Sequence, residues 1–136
     1  MAISAGVLPS YQHLPLFGDS ALSQYHLSTK IENKVMVYGD FELVTKDSEV
    51  RIDPFNGVGI VKLPNGQLCT SKERTIIDLI YWDYYIEYIL QALDNYEIFH
   101  DTLEPVIDLA KQVGMLDRLN EIMPIYKDYL EDEERF

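Results

Sequence analysis

The hydrophobic pattern changes its period near residue 70, and this change constrains the fold more than any other feature. Before that point, short apolar runs are broken by turn residues, and residues 49–53 alternate strictly between apolar and charged, as a half-buried strand requires. After it, apolar residues recur at three- and four-residue spacing, which indicates helices. The sequence therefore predicts an α+β fold, in which a small antiparallel β-sheet at about residues 35–70 precedes a bundle of about four helices at about residues 71–131.

Turn residues separate the elements predicted in the first half. We expect a short helix near residues 19–26, capped by Asp19 or Ser20. Asn65 and Gly66 accept positive φ, so they favour a hairpin turn that leads into residues 67–70. The other strands are predicted at residues 35–38, 42–45, 49–53 and 58–63.

Caps and breakers mark the helices predicted in the second half. Thr70 and Glu73 have the spacing of a capping box, which would begin the first helix. A second helix is predicted near residues 84–95, a third from about residue 102 to Gly114, and a fourth from about residue 116. Pro124 lacks an amide donor, so we expect it to break or restart the fourth helix.

Negative charge is concentrated in the helical half. The 136 residues carry 23 acidic and 11 basic side chains, a formal net charge of −12. Residues 1–70 hold seven acidic and five basic side chains (net −2), whereas residues 71–136 hold sixteen and six (net −10). This balance argues against direct binding to nucleic acid or to an anionic membrane. It is compatible with a basic protein partner, and equally with a face that is only solvated.

The length and the cysteine content suit one cytoplasmic domain. A chain of 136 residues fits a single α+β domain spanning residues 1–136. Cys69 is the only cysteine, which suits a reducing compartment, and the first residues lack the pattern of a secretory signal. No apolar run approaches the length of a membrane span.

The sequence gives no sign of catalysis. His13, His26, His100 and Cys69 lie too far apart for the paired ligand spacing of a zinc site. The sequence contains neither of the glycine-rich phosphate-binding motifs GxxxxGK[ST] and GxGxxG. We therefore predict no enzymatic activity, no catalytic residue, no metal and no cofactor. Four carboxylates of the helical half are expected to face water: Asp78, Asp83, Glu87 and Asp94.

An aromatic segment at residues 81–88 is the candidate binding surface. A helix cannot turn five aromatic side chains in eight residues towards one core, and Tyr and Trp are favoured at protein interfaces. The alternative is that these rings pack the helices against the sheet. The predicted partner-binding residues are Tyr81, Trp82, Asp83, Tyr84, Tyr85, Glu87 and Tyr88.

Two segments resemble the C-terminal domain of AbiEi-type antitoxins. Residues 20–31 contain an Ala-Leu-Ser helix and an aromatic–His pair, Tyr25 and His26, like the segment that opens that domain. Residues 71–80 resemble its Glu-Arg-Thr signature, in which two hydrophobic residues and an aspartate follow. The resemblance covers about residues 18–115.

The second segment also has a physical interpretation of its own. Arg74 is long enough to reach groups at the sheet edge, and Asp78 follows it by one helical turn, which allows an ion pair. We therefore predict a structural junction between sheet and helices, formed by Thr70, Glu73, Arg74 and Asp78.

The resemblance implies an antitoxin from an abortive-infection or toxin–antitoxin system, which serves in phage defence. Its protein partner would be a basic, nucleotidyltransferase-like toxin. In the family an N-terminal winged helix binds the operator, but only about seventeen residues precede the first motif here, so DNA binding is not expected. The alternative is an acidic mimic of nucleic acid that inhibits a DNA- or RNA-binding enzyme of a mobile element, since carboxylates can replace phosphates.

Overall fold

The computed structural model describes residues 13–134 and has the predicted α+β architecture. Two small groups of strands, three and two in number, follow a short N-terminal helix and precede the helical part. The elements in chain order are α1 (Gly18–Tyr25), β1 (Val35–Gly39), β2 (Leu43–Val44), β3 (Ser48–Ile52), β4 (Ile60–Lys62), β5 (Leu68–Thr70), α2 (Lys72–Tyr81), α3 (Ile86–His100), α4 (Glu104–Val113) and α5 (Leu116–Glu134).

The strand pairing is mixed, which corrects the prediction of an antiparallel sheet. Strand β3 lies in the middle, with β2 antiparallel on one side and β1 parallel on the other. After β1 the chain crosses the end of β3 at residues 40–42 instead of folding back beside β1, and the turn after β2 returns it to β3. Strands β4 and β5 form the predicted hairpin, with Gly66 at positive φ in its turn.

Residues 15–17 join the two groups of strands. The Leu16 amide donates to the Leu68 carbonyl, and the Leu16 carbonyl accepts from the Thr70 amide, both at 3.0 Å. On its other side, the segment exchanges hydrogen bonds with β1 through Pro15 and Phe17. The segment therefore works as an extra strand between β1 and β5, and it places the end of β5 close to β1.

Helix α2 is the centre of the core. Its residues 74–80 are all buried, because α1, α3, α4 and β5 surround it. Its apolar side chains, Ile76, Ile77, Leu79 and Ile80, pack with Leu93, Val106, Leu119 and Tyr126 from the later helices. Burial of each such side chain stabilises the fold by about 1.5–3 kcal/mol.

Both predicted N-caps are wrong. Helix α2 is capped by Ser71, whose hydroxyl accepts from the Arg74 amide at 3.0 Å, and not by Thr70 with Glu73. Helix α1 begins after Phe17 without a side-chain cap, and Ser20 instead accepts from the Met36 amide at 2.9 Å. In both helices, tertiary contacts engage the side chains that the sequence assigns to capping.

Pro124 does not break the last helix. Helix α5 continues through it from Leu116 to Glu134. Pro124 lies on the exposed side, where the carbonyl that loses its amide partner can bind water, while Leu119 and Tyr126 hold the opposite side in the core.

Candidate functional site

The guanidinium of Arg74 joins α2 to the sheet and its loops. This side chain is fully buried. Its Nη2 donates to Asp53 Oδ1 at 2.6 Å, its Nη1 donates to the Val58 carbonyl at 2.6 Å, and its Nε donates to Asp78 Oδ1 at 2.8 Å. We call Arg74, its two carboxylate partners and Tyr38 the arginine junction.

Two aromatic rings and a glycine shape the space around Arg74. The guanidinium carbon lies 5.2 Å from the Tyr38 ring centroid and 4.8 Å from that of Phe55, distances at which a cation is attracted to a ring. Gly59 has a φ of +80°, and a Cβ at this position would lie 2.8 Å from the Cβ of Arg74. A residue without a side chain is therefore required here for the chain to pass over Arg74.

Asp78 is buried, so the prediction that it faces water is wrong. Its second carboxylate oxygen accepts from the Tyr38 hydroxyl at 2.7 Å, and that hydroxyl accepts from the Trp82 indole at 3.0 Å. Burial raises the pKa of Asp78 to about 6, although the Arg74 charge and these hydrogen bonds oppose the shift. Of the other three carboxylates expected to face water, Asp83 and Glu87 do so, whereas Asp94 is half-buried.

The remaining predicted junction residues are also engaged. The hydroxyls of Thr70 and Thr75 lie 2.7 Å apart in a hydrogen bond. Glu73 accepts from the Tyr96 hydroxyl at 2.6 Å, and burial together with this carboxylate raises the pKa of Tyr96. Within residues 13–134, no buried side-chain nitrogen or oxygen is without a hydrogen-bond partner. The polar groups of the junction are therefore committed to one another and to the fold.

The aromatic segment does not continue α2. The helix ends at Tyr81, and residues 82–85 connect it to α3, with Asp83 at a φ of +55°. A left-handed residue ends the regular helix, so the side chains of Tyr81, Tyr85 and Tyr88 do not form one helical face. Tyr81 instead packs edge-on against Phe55 and Trp82, with ring centroids 5.2 and 4.9 Å away.

This connection forms one wall of a cavity of about 470 Å³, which we call the aromatic cavity. Five predicted partner-binding residues line it: Trp82, Asp83, Tyr84, Tyr85 and Tyr88. The opposite wall comes from α1, the loop before β1, and the sheet, and consists of Asp19, Lys30, Asn33, Lys34, Met36 and Glu49. Tyr81 and Glu87 do not belong to the lining.

Asp19 holds the two walls together. Its buried carboxylate accepts from the Tyr84 hydroxyl at 2.6 Å and from Lys30 Nζ at 3.0 Å. Burial, followed by the hydrogen bond to Asp19, raises the pKa of Tyr84, so this phenol stays protonated as the donor. The position of the aromatic connection is thereby fixed against α1.

Sequence reasoning missed the second wall of the cavity. Asp19 and Tyr84 are 65 positions apart, and no local pattern signals their contact. Asp19 was expected only as a helix cap, and Lys34 and Glu49 carried no prediction of a site. The sequence indicated only the aromatic wall, because five of the eight residues 81–88 are aromatic.

Comparison of the chain with protein-family models and with curated proteins gives no match. The resemblance to AbiEi-type antitoxins therefore stays a prediction. Throughout the described part of the chain, every helix is too short or too polar to span a bilayer.

Proposed function

We propose that this chain is a cytoplasmic, non-enzymatic, protein-binding module of the antitoxin type. Its partner in this proposal is a basic, nucleotidyltransferase-like toxin, and the contact surface is the connection between α2 and α3. The resemblance of residues 20–31 and 71–80 to AbiEi-type antitoxins supplies the kind of partner. No direct contact with nucleic acid or membrane is part of the proposal.

The observation that carries the proposal is the exposure of this aromatic connection. Tyr85 is 74% exposed, and its neighbour Ile86 is 40% exposed. The core does not use these side chains, and Tyr is a residue that interfaces favour because it buries a large area and keeps a polar end. The connection is also fixed in place by the hydrogen bond from Tyr84 to Asp19, so little ordering is needed on binding.

Charge around the connection suits a basic partner. Asp83 and Glu87 are exposed on either side of Tyr85, and α4 and α5 carry further exposed carboxylates. With a formal charge of −12, the chain attracts a basic protein over a distance of about 10 Å at ordinary salt concentration. We assign the aromatic side chains to affinity and the carboxylates to the rate of association.

The test is co-expression with a nucleotidyltransferase encoded beside this chain, followed by growth measurement and purification of the complex. The wild-type chain should restore growth, and Tyr85→Ala should weaken the complex by about tenfold or more, as expected for a central interface aromatic. If the wild-type chain neither restores growth nor forms a complex with the nucleotidyltransferase, the proposal is overturned.

A matched control distinguishes the surface from exposed aromatics in general. Phe99 is 77% exposed at the opposite end of α3, so Phe99→Ala removes a similar ring far from the connection. This variant should bind as the wild type does. Equal losses from Tyr85→Ala and Phe99→Ala would mean that the aromatic connection is not the contact surface.

A second candidate function is supported by the outer face of α5. Asp117, Glu121, Asp128 and Asp132 are exposed and separated by four, seven and four residues, a spacing that keeps side chains on one face. Neighbouring carboxylates four residues apart rise about 6 Å along the helix. Such a row favours the alternative of a nucleic-acid mimic that occupies the binding groove of a basic enzyme.

Salt dependence separates the two functions. A mimic should lose affinity steeply as salt rises, and it should be weakened by Asp117→Asn with Glu121→Gln but not by Tyr85→Ala. Binding that depends on Tyr85 and changes little with salt would reject the mimic.

A further inference from the structure

The acidic groups of the aromatic cavity are already neutralised. Each of the three carboxylates in its walls has a cation within 3.0 Å. The pairs are Asp19 with Lys30, Glu49 with Arg51, and Asp83 with Arg118. A cationic ligand would have to compete with these internal cations for every carboxylate.

Lys34 has no such partner. In residues 13–134, no carboxylate lies within ion-pair distance of its ammonium group. The cavity therefore carries one uncompensated positive charge, although the chain as a whole has a formal charge of −12. A ligand in the cavity lies close to the Lys34 ammonium, whereas carboxylates elsewhere on the chain that are more than about 10 Å away are largely screened by salt.

The rest of the cavity offers rings and hydroxyl groups. Tyr85 and Tyr88 contribute rings whose centroids are 6.4 Å apart, at an interplanar angle of 42°. Over the described residues, neither hydroxyl makes a hydrogen bond within the chain. A volume of about 470 Å³ is in the range of small-molecule sites, which combine apolar walls with a few polar groups.

We propose that the aromatic cavity binds a small organic anion, namely a planar ring that carries one phosphate or carboxylate group. The anionic group pairs with Lys34, and the ring packs against Tyr85 and Tyr88. A nucleic-acid strand is a poorer ligand, because each further phosphate meets the negative field of the chain. This inference goes beyond the proposed function and does not require it, since the ligand site is tested without a protein partner.

Trp82 provides the readout. It is the only tryptophan of the sequence and lines the cavity, so one indole N–H signal in the NMR spectrum reports on the site. The probes are adenosine monophosphate, benzoate, adenosine and inorganic phosphate. At least one of the first two, which combine ring and anion, should shift the signal saturably, with higher affinity than adenosine or phosphate. The ratio of their affinities shows whether the cavity prefers the purine phosphate or the benzene carboxylate.

Lysine variants test the assigned charge. Lys34→Met should weaken the better anionic probe by about tenfold or more, the effect expected for loss of a charge-assisted hydrogen bond. Lys34→Arg should retain most of the affinity. Lys46→Met, which removes an exposed lysine from the turn between β2 and β3, is the control and should bind as the wild type does.

Several results would overturn the inference. One is the absence of a saturable shift with either anionic ring compound at millimolar concentration. Another is an unchanged affinity of Lys34→Met for the better anionic probe. A third is adenosine or phosphate binding as tightly as that probe. Tighter binding of a short single-stranded oligonucleotide than of adenosine monophosphate would also reject it, in favour of a nucleic-acid surface.

Discussion

The arginine junction and the aromatic cavity are neighbours that both combine charged side chains with aromatic rings, yet they differ in what their polar groups do. Trp82 connects them, because it lines the cavity and donates to Tyr38 of the junction. In the junction, the charges of Arg74 and Asp78 are fully buried and bonded to each other. In the cavity, the described residues leave Lys34 without an ion pair and Tyr85 mostly exposed.

This difference separates stability from recognition. A buried charge that loses its partner is costly, so the junction can hold only one arrangement of its groups. A half-exposed charge is hydrated when it is unpaired, so Lys34 remains available to a ligand at little cost to the fold. The motif that is easiest to recognise in the sequence therefore maintains the fold, while the adjoining connection provides the candidate binding surface.

Removing one cation from each region tests this difference most directly. Arg74→Met leaves the Asp53 and Asp78 carboxylates without their guanidinium, and should lower the free energy of unfolding by about 3–5 kcal/mol. Lys34→Met removes no ion pair and should change it by less than about 0.5 kcal/mol. Urea unfolding of the two variants and the wild type measures both effects.

A milder variant keeps this prediction testable if Arg74→Met does not fold. Arg74→Lys retains the charge but loses the planar fork that reaches Asp53, the Val58 carbonyl and Asp78 together, so its loss should be intermediate. Losses of similar size at positions 34 and 74 would show that the cavity is as much a part of the folding core as the junction.

The pH dependence of stability offers a second test of the junction. The pKa of Asp78 is raised from 3.8 to about 6, so the folded state binds this proton more tightly than the unfolded state does. Stability from this group is therefore present below about pH 4 and is lost as the pH rises towards 6, by about 3 kcal/mol in total.

Asp78→Asn isolates this contribution. Subtracting the variant's free energy of unfolding from that of the wild type at each pH should leave a difference that falls between about pH 4 and 6 and is flat above 7. The flat region serves as the internal control. A difference that is constant, or that rises with pH, would mean that the pairing with Arg74 outweighs burial and holds the carboxylate ionised.

Elements that span many residues could be predicted from the sequence. The change of period at residue 70 predicted the α+β class, and Gly114 correctly marked the end of α4. Strand β2 has only two residues, too few to carry a pattern, so the crossover that makes β1 parallel to β3 was not foreseen. The breaker role of Pro124 was wrong because packing on the opposite face of α5 outweighs one lost hydrogen bond.

For the site, contacts between residues close together in the sequence could be predicted, and contacts between distant residues could not. The Arg74–Asp78 pair is local, with i,i+4 spacing, and it was predicted, although Asp78 was expected to face water and is buried. The partner Asp53 lies 21 positions from Arg74, and its loop carries no sign of that contact. The aromatic residues of the cavity stood out in the sequence, but Lys34 and Asp19 acquire their roles only when α1 and β1 fold against them.

The smallest expected effect separates backbone strain from crowding at the edge of the junction. Gly57 and Gly59 both have a left-handed φ, +82° and +80°, but a Cβ would meet nothing within 4 Å at Gly57 and the Cβ of Arg74 at 2.8 Å at Gly59. Alanine at either position costs about 1 kcal/mol for the backbone conformation. Gly59→Ala should lose about 1–2 kcal/mol more, because α2 or the loop must shift. Equal losses in thermal or urea unfolding would mean that Arg74 tolerates the movement, and that the junction is less tightly packed than its hydrogen bonds indicate.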